Sequence, residues 1–235
     1  MKRNTLLIGG VIGVVILVVG IYVLNGSLEI KTPGQIPAEQ GQMESLRSFV
    51  DAANIASGIT SGAVFNYKPN GYGNPANFTI ARCINEVRCD IAVQREVARF
   101  QQPNSPSEDL AEVDLLTNNV VSLHRAVPSY AIKGDLPQAE IERIAREFLT
   151  TVYPEFSSVE ASLTYDSGMK EGRLNTGNYF FRWNNMSYRL PEGLSMDLPP
   201  FIQVGITSSG FIFGYDNTVQ LVRGISQEEI DAAVK

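Results

Sequence analysis

The sequence predicts an α+β fold, in which an N-terminal transmembrane helix is followed by two tandem modules, each with one helix packed on a small antiparallel sheet. Three observations lead to this prediction. An unbroken apolar run occupies residues 5–24. Two segments with helical periodicity are each followed by several short strand-like runs. A strand–turn–strand pattern also recurs without gaps at an offset of 91 residues, which indicates an internal repeat.

The apolar run has the length and composition of a membrane span. It carries no charge over about 20 residues, and at about 1.5 Å per residue it is about 30 Å long, as thick as the hydrocarbon core of a bilayer. Lys2 and Arg3 precede it, and a short basic flank stays in the cytoplasm. We therefore expect a single-pass protein of the cell membrane, with residues 1–4 in the cytoplasm and the C-terminal part extracytoplasmic. A cleaved signal peptide is the alternative, although its apolar core would usually be shorter and Val23–Ser27 is a poor cleavage site.

Composition predicts that the exterior part is acidic. The chain has 25 acidic and 19 basic residues and a net charge of −6, and two of the basic residues lie before the apolar run. An acidic surface is repelled by nucleic acid and by anionic lipid. We therefore expect a protein partner outside the cytoplasm, in addition to the membrane that residues 5–24 contact, and no nucleic acid.

The two cysteines, Cys83 and Cys89, are separated by five residues. In an oxidising compartment they can pair, and we expect a structural disulfide that closes a hairpin. Two free thiols are the alternative. The spacing fits neither a zinc site, which would need nearby His or further Cys, nor the C-x-x-C motif of redox enzymes.

The first predicted module begins after a linker at residues 25–38, which contains Gly and Pro. Residues 39–57 then have helical periodicity, and Gly58 is a plausible stop. Five apolar residues fall on one face of this helix at spacings of three and four: Met43, Leu46, Phe49, Val50 and Ala53. Strand-like runs follow at residues 63–67, 78–82, 87–100 and, around a tight turn, 113–125.

The second predicted module begins with a more regular helix. Asp135 is the predicted N-cap, with Gln138 three residues later, and Pro154 prevents continuation at the other end. The apolar face has the spacing of an amphipathic helix and consists of Ile141, Ile144, Ala145, Phe148, Leu149 and Val152. Strands are predicted at residues 159–165, 179–183, 201–207 and 211–215. Ser226 and Glu229 form a capping box that opens a short C-terminal helix.

The internal repeat is clearest at the ends of the two modules. Val113–His124 aligns over Val204–Tyr215, and Asn119 then falls on Gly210, where a tight hairpin turn favours a residue that tolerates a left-handed backbone. Together with the apolar run and the capping box, the alignment predicts the following organisation: residues 1–4 cytoplasmic, 5–24 transmembrane, 25–38 linker, 39–127 module 1, 135–223 module 2 and 224–235 a short C-terminal helix.

The second module resembles the PepSY family. The features are the helix pattern AEIERIAREFL, the pair Tyr153-Pro154, the alternating aromatic strand and the closing hairpin Ile202–Tyr215. The aromatic residues of that strand are Tyr179, Phe181 and Trp183. In that family one helix packs across a small antiparallel sheet, and tandem copies occur. The first module matches less well, because it lacks the Trp and contains the cysteine pair.

The resemblance implies a regulatory rather than a catalytic role. PepSY-like modules occur in propeptides of secreted thermolysin-like proteases, in membrane-anchored envelope proteins and in a spore-germination protein that partners a wall lytic enzyme. We therefore expect a membrane-anchored, non-catalytic protein that binds and regulates a secreted or envelope enzyme, a peptidase or wall hydrolase, without cofactor or metal. A structural subunit of a secretion, pilus or division complex is the alternative, and there Gly9 and Gly13 could bring two membrane helices together. An enzyme of unknown type is the third possibility.

Catalytic residues are not evident in the sequence. His124, the only histidine, is expected to be an ordinary strand residue, because the repeat places it at the position of Tyr215. Four acidic residues, Glu108, Asp109, Glu112 and Asp114, are expected to form a solvated acidic edge. In particular, alternation along the strand places Asp114 on the face opposite Val113, which we expect to be the solvent side.

Exposed aromatic residues are the sequence-based candidates for partner contacts. We expect Tyr67 and Tyr72 to flank an exposed loop, and Tyr72, Tyr188 and Arg189 are the predicted contact residues. By contrast, we expect Tyr179, Phe181 and Trp183 to be core residues beneath the helix.

Overall fold

The computed structural model describes residues 35–59, 65–83, 89–103, 109–170 and 177–235. The predicted cytoplasmic segment and transmembrane helix at residues 1–24 lie outside these ranges. Among the helices within them, none is both long and apolar enough to cross a membrane.

The described elements alternate between helices and runs of antiparallel strands. In chain order they are α1 Gln35–Ala56, β1 Lys68–Gly73, β2 Ile80–Cys83, β3 Cys89–Val93, β4 Val97–Gln101, β5 Leu110–Asp114, β6 Val120–His124, α2 Gln138–Val152, α3 Phe156–Val159, β7 Thr164–Lys170, β8 Asn178–Asn184, β9 Leu194–Ser195, β10 Phe201–Thr207, β11 Ile212–Asn217, α4 Thr218–Arg223 and α5 Gln227–Val234. Short 3₁₀ turns occupy Ser129–Ala131 and Glu160–Ser162.

The ends of the helices agree in part with the sequence signals. α1 begins at Gln35, inside the predicted linker, and it ends just before Gly58, whose φ of +71° is a left-handed conformation that favours glycine. The residue before α2 is Pro137, which makes no side-chain cap, so the prediction that Asp135 caps this helix is wrong. Ser226 does cap α5 in a complete capping box with Glu229, as predicted.

A single sheet of eight strands replaces the two small sheets that the sequence predicted. Its order is β1-β4-β5-β6-β11-β10-β8-β7, and every neighbouring pair is antiparallel. A second, three-stranded sheet has the order β3-β2-β9. The two halves join because β6 pairs with β11, so that two strands which would each have been an exposed edge satisfy one another's backbone groups.

The junction of the two half-sheets has a local two-fold arrangement. His124 lies opposite Gly214, and Leu123 lies opposite Tyr215. Under the 91-residue offset of the repeat, each of these pairs maps onto the other. Each half also consists of a long helix followed by the four strands that it contributes to the large sheet, and the strand order is the same when counted inward from either edge. Two copies of one α+β unit related by a local two-fold axis would give this arrangement, while Gln40–Lys235 as a whole is one compact unit.

The main core lies between the large sheet and the helices α1 and α2. Phe49 of α1 and Phe148 of α2 meet edge to face with ring centroids 5.4 Å apart, and both rings pack against Tyr215 of β11. Tyr179, Phe181 and Trp183 alternate into this core along β8, as predicted. Trp183 is fully buried and packs on Phe156 and Tyr165.

A second core covers the opposite face of the large sheet. Val97 alternates with the main-core residues Ala98 and Phe100 along β4, so its side chain points away from α1 and α2. It belongs to a cluster contributed by both sheets, by the segment before β2, by α4 and by α5: Phe78, Ile80, Val93, Val97, Val121, Leu194, Leu221, Ile230 and Ala233. Cys83 and Cys89 are paired across β2 and β3 as a disulfide, which confirms the predicted hairpin clip.

Truncation of the central aromatic pair tests whether the two halves share one core. We expect Phe49→Ala and Phe148→Ala each to lower the free energy of unfolding by about 3–5 kcal/mol, because each leaves a cavity in a packed interior. The loss in the double variant should be smaller than the sum of the two single losses by about 0.5–1.5 kcal/mol, because the two rings no longer contact each other in either single variant. Urea unfolding followed by the fluorescence of Trp183, the one tryptophan, provides the measurement.

The control is Ile55→Ala, since the Ile55 side chain is exposed and its loss should change stability by no more than about 0.5 kcal/mol. Strictly additive effects of the two Phe truncations would contradict a shared core at this position.

Candidate functional site

A row of polar side chains crosses the face of the large sheet that α1 and α2 do not cover. The cross-strand register places Arg99, Glu112, Ser122, Asp216, Gln203, Arg182 and Asp166 opposite one another in that order, on seven successive strands. Because residues in register share a face of the sheet, these side chains form one continuous transverse row. Its central members are buried, whereas Asp166 at one end is exposed.

Two carboxylates in this row hold the segment that precedes β2 against the sheet. Glu112 accepts hydrogen bonds from Arg99 Nε at 3.1 Å and from the backbone N–H of Ala76 at 3.1 Å. Asp216 Oδ1 accepts one from Asn77 Nδ2 at 2.9 Å. The acidic side chains at the centre of the sheet therefore stabilise the covering segment.

His124 lies beside the polar row, two residues after Ser122 at the end of β6. Its Nε2 is 3.3 Å from Oδ1 of Asp216, and its side chain is 46% exposed. The hydrogen bond to Asp216 raises the pKa of His124, against the opposing effect of burial. The neighbouring charge of Glu112 acts in the same direction as Asp216. His124 is thus a residue of strand β6, as expected, and in addition a partner of a buried carboxylate.

The contacts of Ser122, His124 and Asp216 differ from those of a catalytic triad. Ser122 Oγ donates directly to Asp216 Oδ1 at 2.9 Å, and His124 approaches the same oxygen. In a triad the imidazole would stand between the hydroxyl and the carboxylate, so that it could take the hydroxyl proton. Ser122 is also buried, which keeps its oxygen from a substrate.

The expectation that Asp114 faces solvent is wrong. Asp114 does point away from the main core, but the second core covers that face, and its side chain is only 2% exposed. Arg95 binds both of its oxygens through Nη2, at 2.7 and 2.8 Å, and also donates from Nη1 to the Gly224 carbonyl. Thr117 Oγ1 donates to the same carboxylate at 2.7 Å. This is a buried ion pair that links β5 to the chain before β4 and after α4.

The remaining acidic residues of the predicted solvated edge are also accounted for. Glu112 is buried, as described above, and Asp109 is buried and accepts a hydrogen bond from the backbone N–H of Ala126. Glu108 lies outside the described residues. Across the described ranges, no three His, Cys, Asp or Glu side chains come together in a way that could hold a metal ion.

Arg182 is the cation on the other half of the polar row. Its guanidinium lies 3.7 Å from the ring centroid of Phe201 and donates from Nε to Asn184 Oδ1. Burial lowers the pKa of Arg182, while the charges of Asp216 and Asp166 oppose that effect. The ring of Phe201 and the two carboxylates stabilise the charged guanidinium of Arg182 at this half-buried position.

The structure places Tyr72 far from the other two predicted contact residues. Tyr72 is 43% exposed on the edge strand β1, whereas Tyr188 and Arg189 follow β8, with five strands of the sheet between β1 and β8. Tyr188 is half-buried, and burial raises its pKa. Arg189 donates to the carbonyls of Met186 and Tyr188 in its own turn. Tyr67, which was expected beside an exposed loop, is buried in the main core.

A groove with apolar lining lies between α1 and α2. One part has a volume of about 540 Å³ and is lined on α1 by Ser48, Asp51, Ala52, Ile55 and Ala56 and on α2 by Arg143, Ile144, Glu147, Phe148 and Thr151, with Gly58 at one end. A second part, of about 510 Å³, continues along the N-terminal half of α1 and shares Ser48, Ala52 and Thr151 with the first. Its facing wall is formed by Asn118, Asn119 and Val120, at the turn from β5 into β6, and by Thr151 and Val152 at the end of α2. We call the two parts together the helix groove.

The helix groove combines an apolar wall with an acidic rim. Ile55 is 74% exposed, the largest exposed fraction of any large apolar side chain in the described residues. The rim carries Glu44, Asp51 and Glu147, while its one guanidinium, that of Arg143, is already bonded to Glu140 and Glu147. The sequence did contain a signal, because Ile55 is an apolar residue outside the buried stripe of α1.

Comparison with known proteins finds no match for this chain. No family model, curated protein or solved structure matches it. The resemblance to PepSY modules therefore stays a prediction.

Loss of the buried ion pair should be strongly destabilising. We expect Asp114→Ala to lower the free energy of unfolding by about 3–5 kcal/mol, because it leaves the Arg95 guanidinium buried without its carboxylate. Asp51→Ala, at an exposed position, is the matched control and should change stability by no more than about 0.5 kcal/mol. Urea unfolding gives both values, and equal effects of the two substitutions would contradict this account.

The His124–Asp216 contact should make stability depend on pH. Since the folded-state pKa of His124 lies above the unfolded value, its contribution is complete below about pH 6.5 and is lost as the pH rises through the folded-state pKa. The stability advantage of the wild-type protein over His124→Gln should therefore decrease from about pH 6 to about pH 8. Urea unfolding of both proteins at three pH values measures the difference. Parallel pH profiles would show that the contact contributes nothing.

Proposed function

We propose that the chain is a membrane-anchored, extracytoplasmic protein that binds and regulates a secreted or envelope enzyme, a peptidase or wall hydrolase, without performing catalysis itself. The observation that carries the proposal is the helix groove, with the exposed Ile55 on its wall. Exposed apolar surface next to a concave site is typical of protein interaction sites. The anchor corresponds to residues 5–24, and the regulatory role follows the PepSY resemblance.

The roles of the reactive side chains agree with binding rather than catalysis. Glu112 and Asp216 bond to the segment that covers them, and Asp114 is buried with Arg95. His124 bonds to Asp216, not to a nucleophile. These groups stabilise the second layer of the fold, while the helix groove on the other side of the sheet is open to a partner.

The exposed edges of the large sheet are less suitable for a partner strand than the helix groove. β1 has Pro69, which lacks a backbone N–H, and Gly71 with φ +91°, and its register with β4 is broken between Pro69 and Tyr72. β7, at the other edge, has a similar irregularity between Asp166 and Met169. Bulges and proline on edge strands discourage pairing with another chain.

Crosslinking in intact cells, followed by detergent extraction and mass spectrometry of the full-length protein, tests the proposal. We expect one secreted hydrolase to dominate the wild-type sample and its activity to change when the purified protein is added. Ile55→Arg should reduce recovery of this hydrolase at least fivefold, because it places a charge on the apolar wall of the groove. Leu198→Arg, at another exposed apolar position, is the matched control and should leave recovery unchanged.

The alternative function predicts a different result. A structural subunit of a secretion, pilus or division complex would be recovered with several membrane proteins in fixed proportion. That outcome, or a recovered hydrolase whose activity does not respond, would overturn the regulatory proposal.

A further inference from the structure

We infer that the helix groove binds a positively charged amphipathic helix of the partner protein. This inference rests on the proposed function and specifies the part of the partner that is recognised. It is carried by the length of the groove, by the small side chains along α1 and by the charge of the rim.

The length of the groove suits a helix of three to four turns. Its lining on α1 extends from Gly41 to Ala56, about 24 Å of helix, and on α2 from Arg143 to Val152, about 15 Å, so the two walls correspond to between about three and about four turns. The end of α1 borders Arg143 and Ile144, whereas its beginning borders Val152, so the two walls are antiparallel. A third helix laid between them would form a layer of three helices on one face of the sheet.

The surface of α1 permits close approach of a helix backbone. One stripe of α1 along the groove, at spacings of three and four, consists of small residues: Gly41, Ser45, Ser48, Ala52 and Ala56. Phe49 and Phe148 form the apolar floor, and Ile55 and Ile144 stand on opposite walls at one end. Apolar anchors at helical spacing on the partner would contact this floor, as in other helix-in-groove complexes.

The rim selects the charge of the occupant. Three carboxylates, those of Glu44, Asp51 and Glu147, line the groove, and the positive charge of Arg143 is offset by its bonds to Glu140 and Glu147. The rim is therefore net negative and attracts Lys and Arg on the polar face of a partner helix. Two copies of this groove would repel one another, and an anionic lipid surface would be repelled as well.

A photo-reactive benzoylphenylalanine at position 55 of the full-length chain identifies the occupant directly in cells. After irradiation, mass spectrometry of the crosslinked peptide should give a segment of another protein with Lys or Arg on one face and apolar residues three and four apart. The same probe at position 198 is the control for non-specific capture and should not give this peptide.

Charge variants test the role of the rim. The double variant Asp51→Lys, Glu147→Lys should reduce the yield of the crosslink at position 55 at least fivefold, because it makes the rim basic. Both side chains are exposed, so we expect the variant to fold, and circular dichroism checks this. Glu228→Lys, an exposed acidic position on α5, is the matched control and should preserve the crosslink. Ser48→Trp, which fills the groove without changing charge, should also abolish it.

Several results would overturn the inference: no product at position 55, an acidic or non-helical peptide, lipid, a second copy of this chain, or residues 60–64 or 1–34 of the same chain. Retention of the crosslink in the double Lys variant would do so as well. A basic helix from an envelope subunit that is not an enzyme would support the inference and overturn the regulatory function, so the two failures are distinguishable.

Discussion

The antiparallel pairing of β6 with β11 determines the arrangement of the rest of the described structure. It joins two four-stranded halves into one sheet, and its register places Leu123 opposite Tyr215 and Ser122 opposite Asp216. Tyr215 faces the helices, where Phe49 and Phe148 pack on its ring. Asp216 faces the other side, among the buried polar groups. Since one pairing fixes both faces, a register shift would move the aromatic core and the polar row together.

The second face explains why so many charged side chains are buried. The small sheet, α4 and α5 form another layer on the large sheet, and the polar row lies beneath or beside that layer. Charges are tolerated on this face because its buried carboxylates accept hydrogen bonds. Asp114 accepts from Arg95, Glu112 from Arg99, and Asp216 from Asn77 and Ser122. Such hydrogen-bonded groups help to specify how the covering layer docks.

The helix groove lies where the two long helices approach each other. Phe49 and Phe148 bridge α1 and α2 near the junction of the half-sheets, where both rings pack against Tyr215. Beside those two rings the groove is open, with Ile55 on its wall. Both helices line the groove, so neither would form it alone.

Much of the local structure could be predicted from the residues alone: the apolar faces of α1 and α2, the alternating aromatics of β8, the capping box of α5, the disulfide between Cys83 and Cys89, and the similar hairpins at the ends of the two halves. These features depend on periodicity and short-range spacing. Long-range contacts were needed to establish that the hairpins share one sheet, that Asp114 is buried and that a groove remains between the helices. Alternation along a strand reveals which face a side chain occupies, but not which element covers that face, because the covering residues are distant in the sequence.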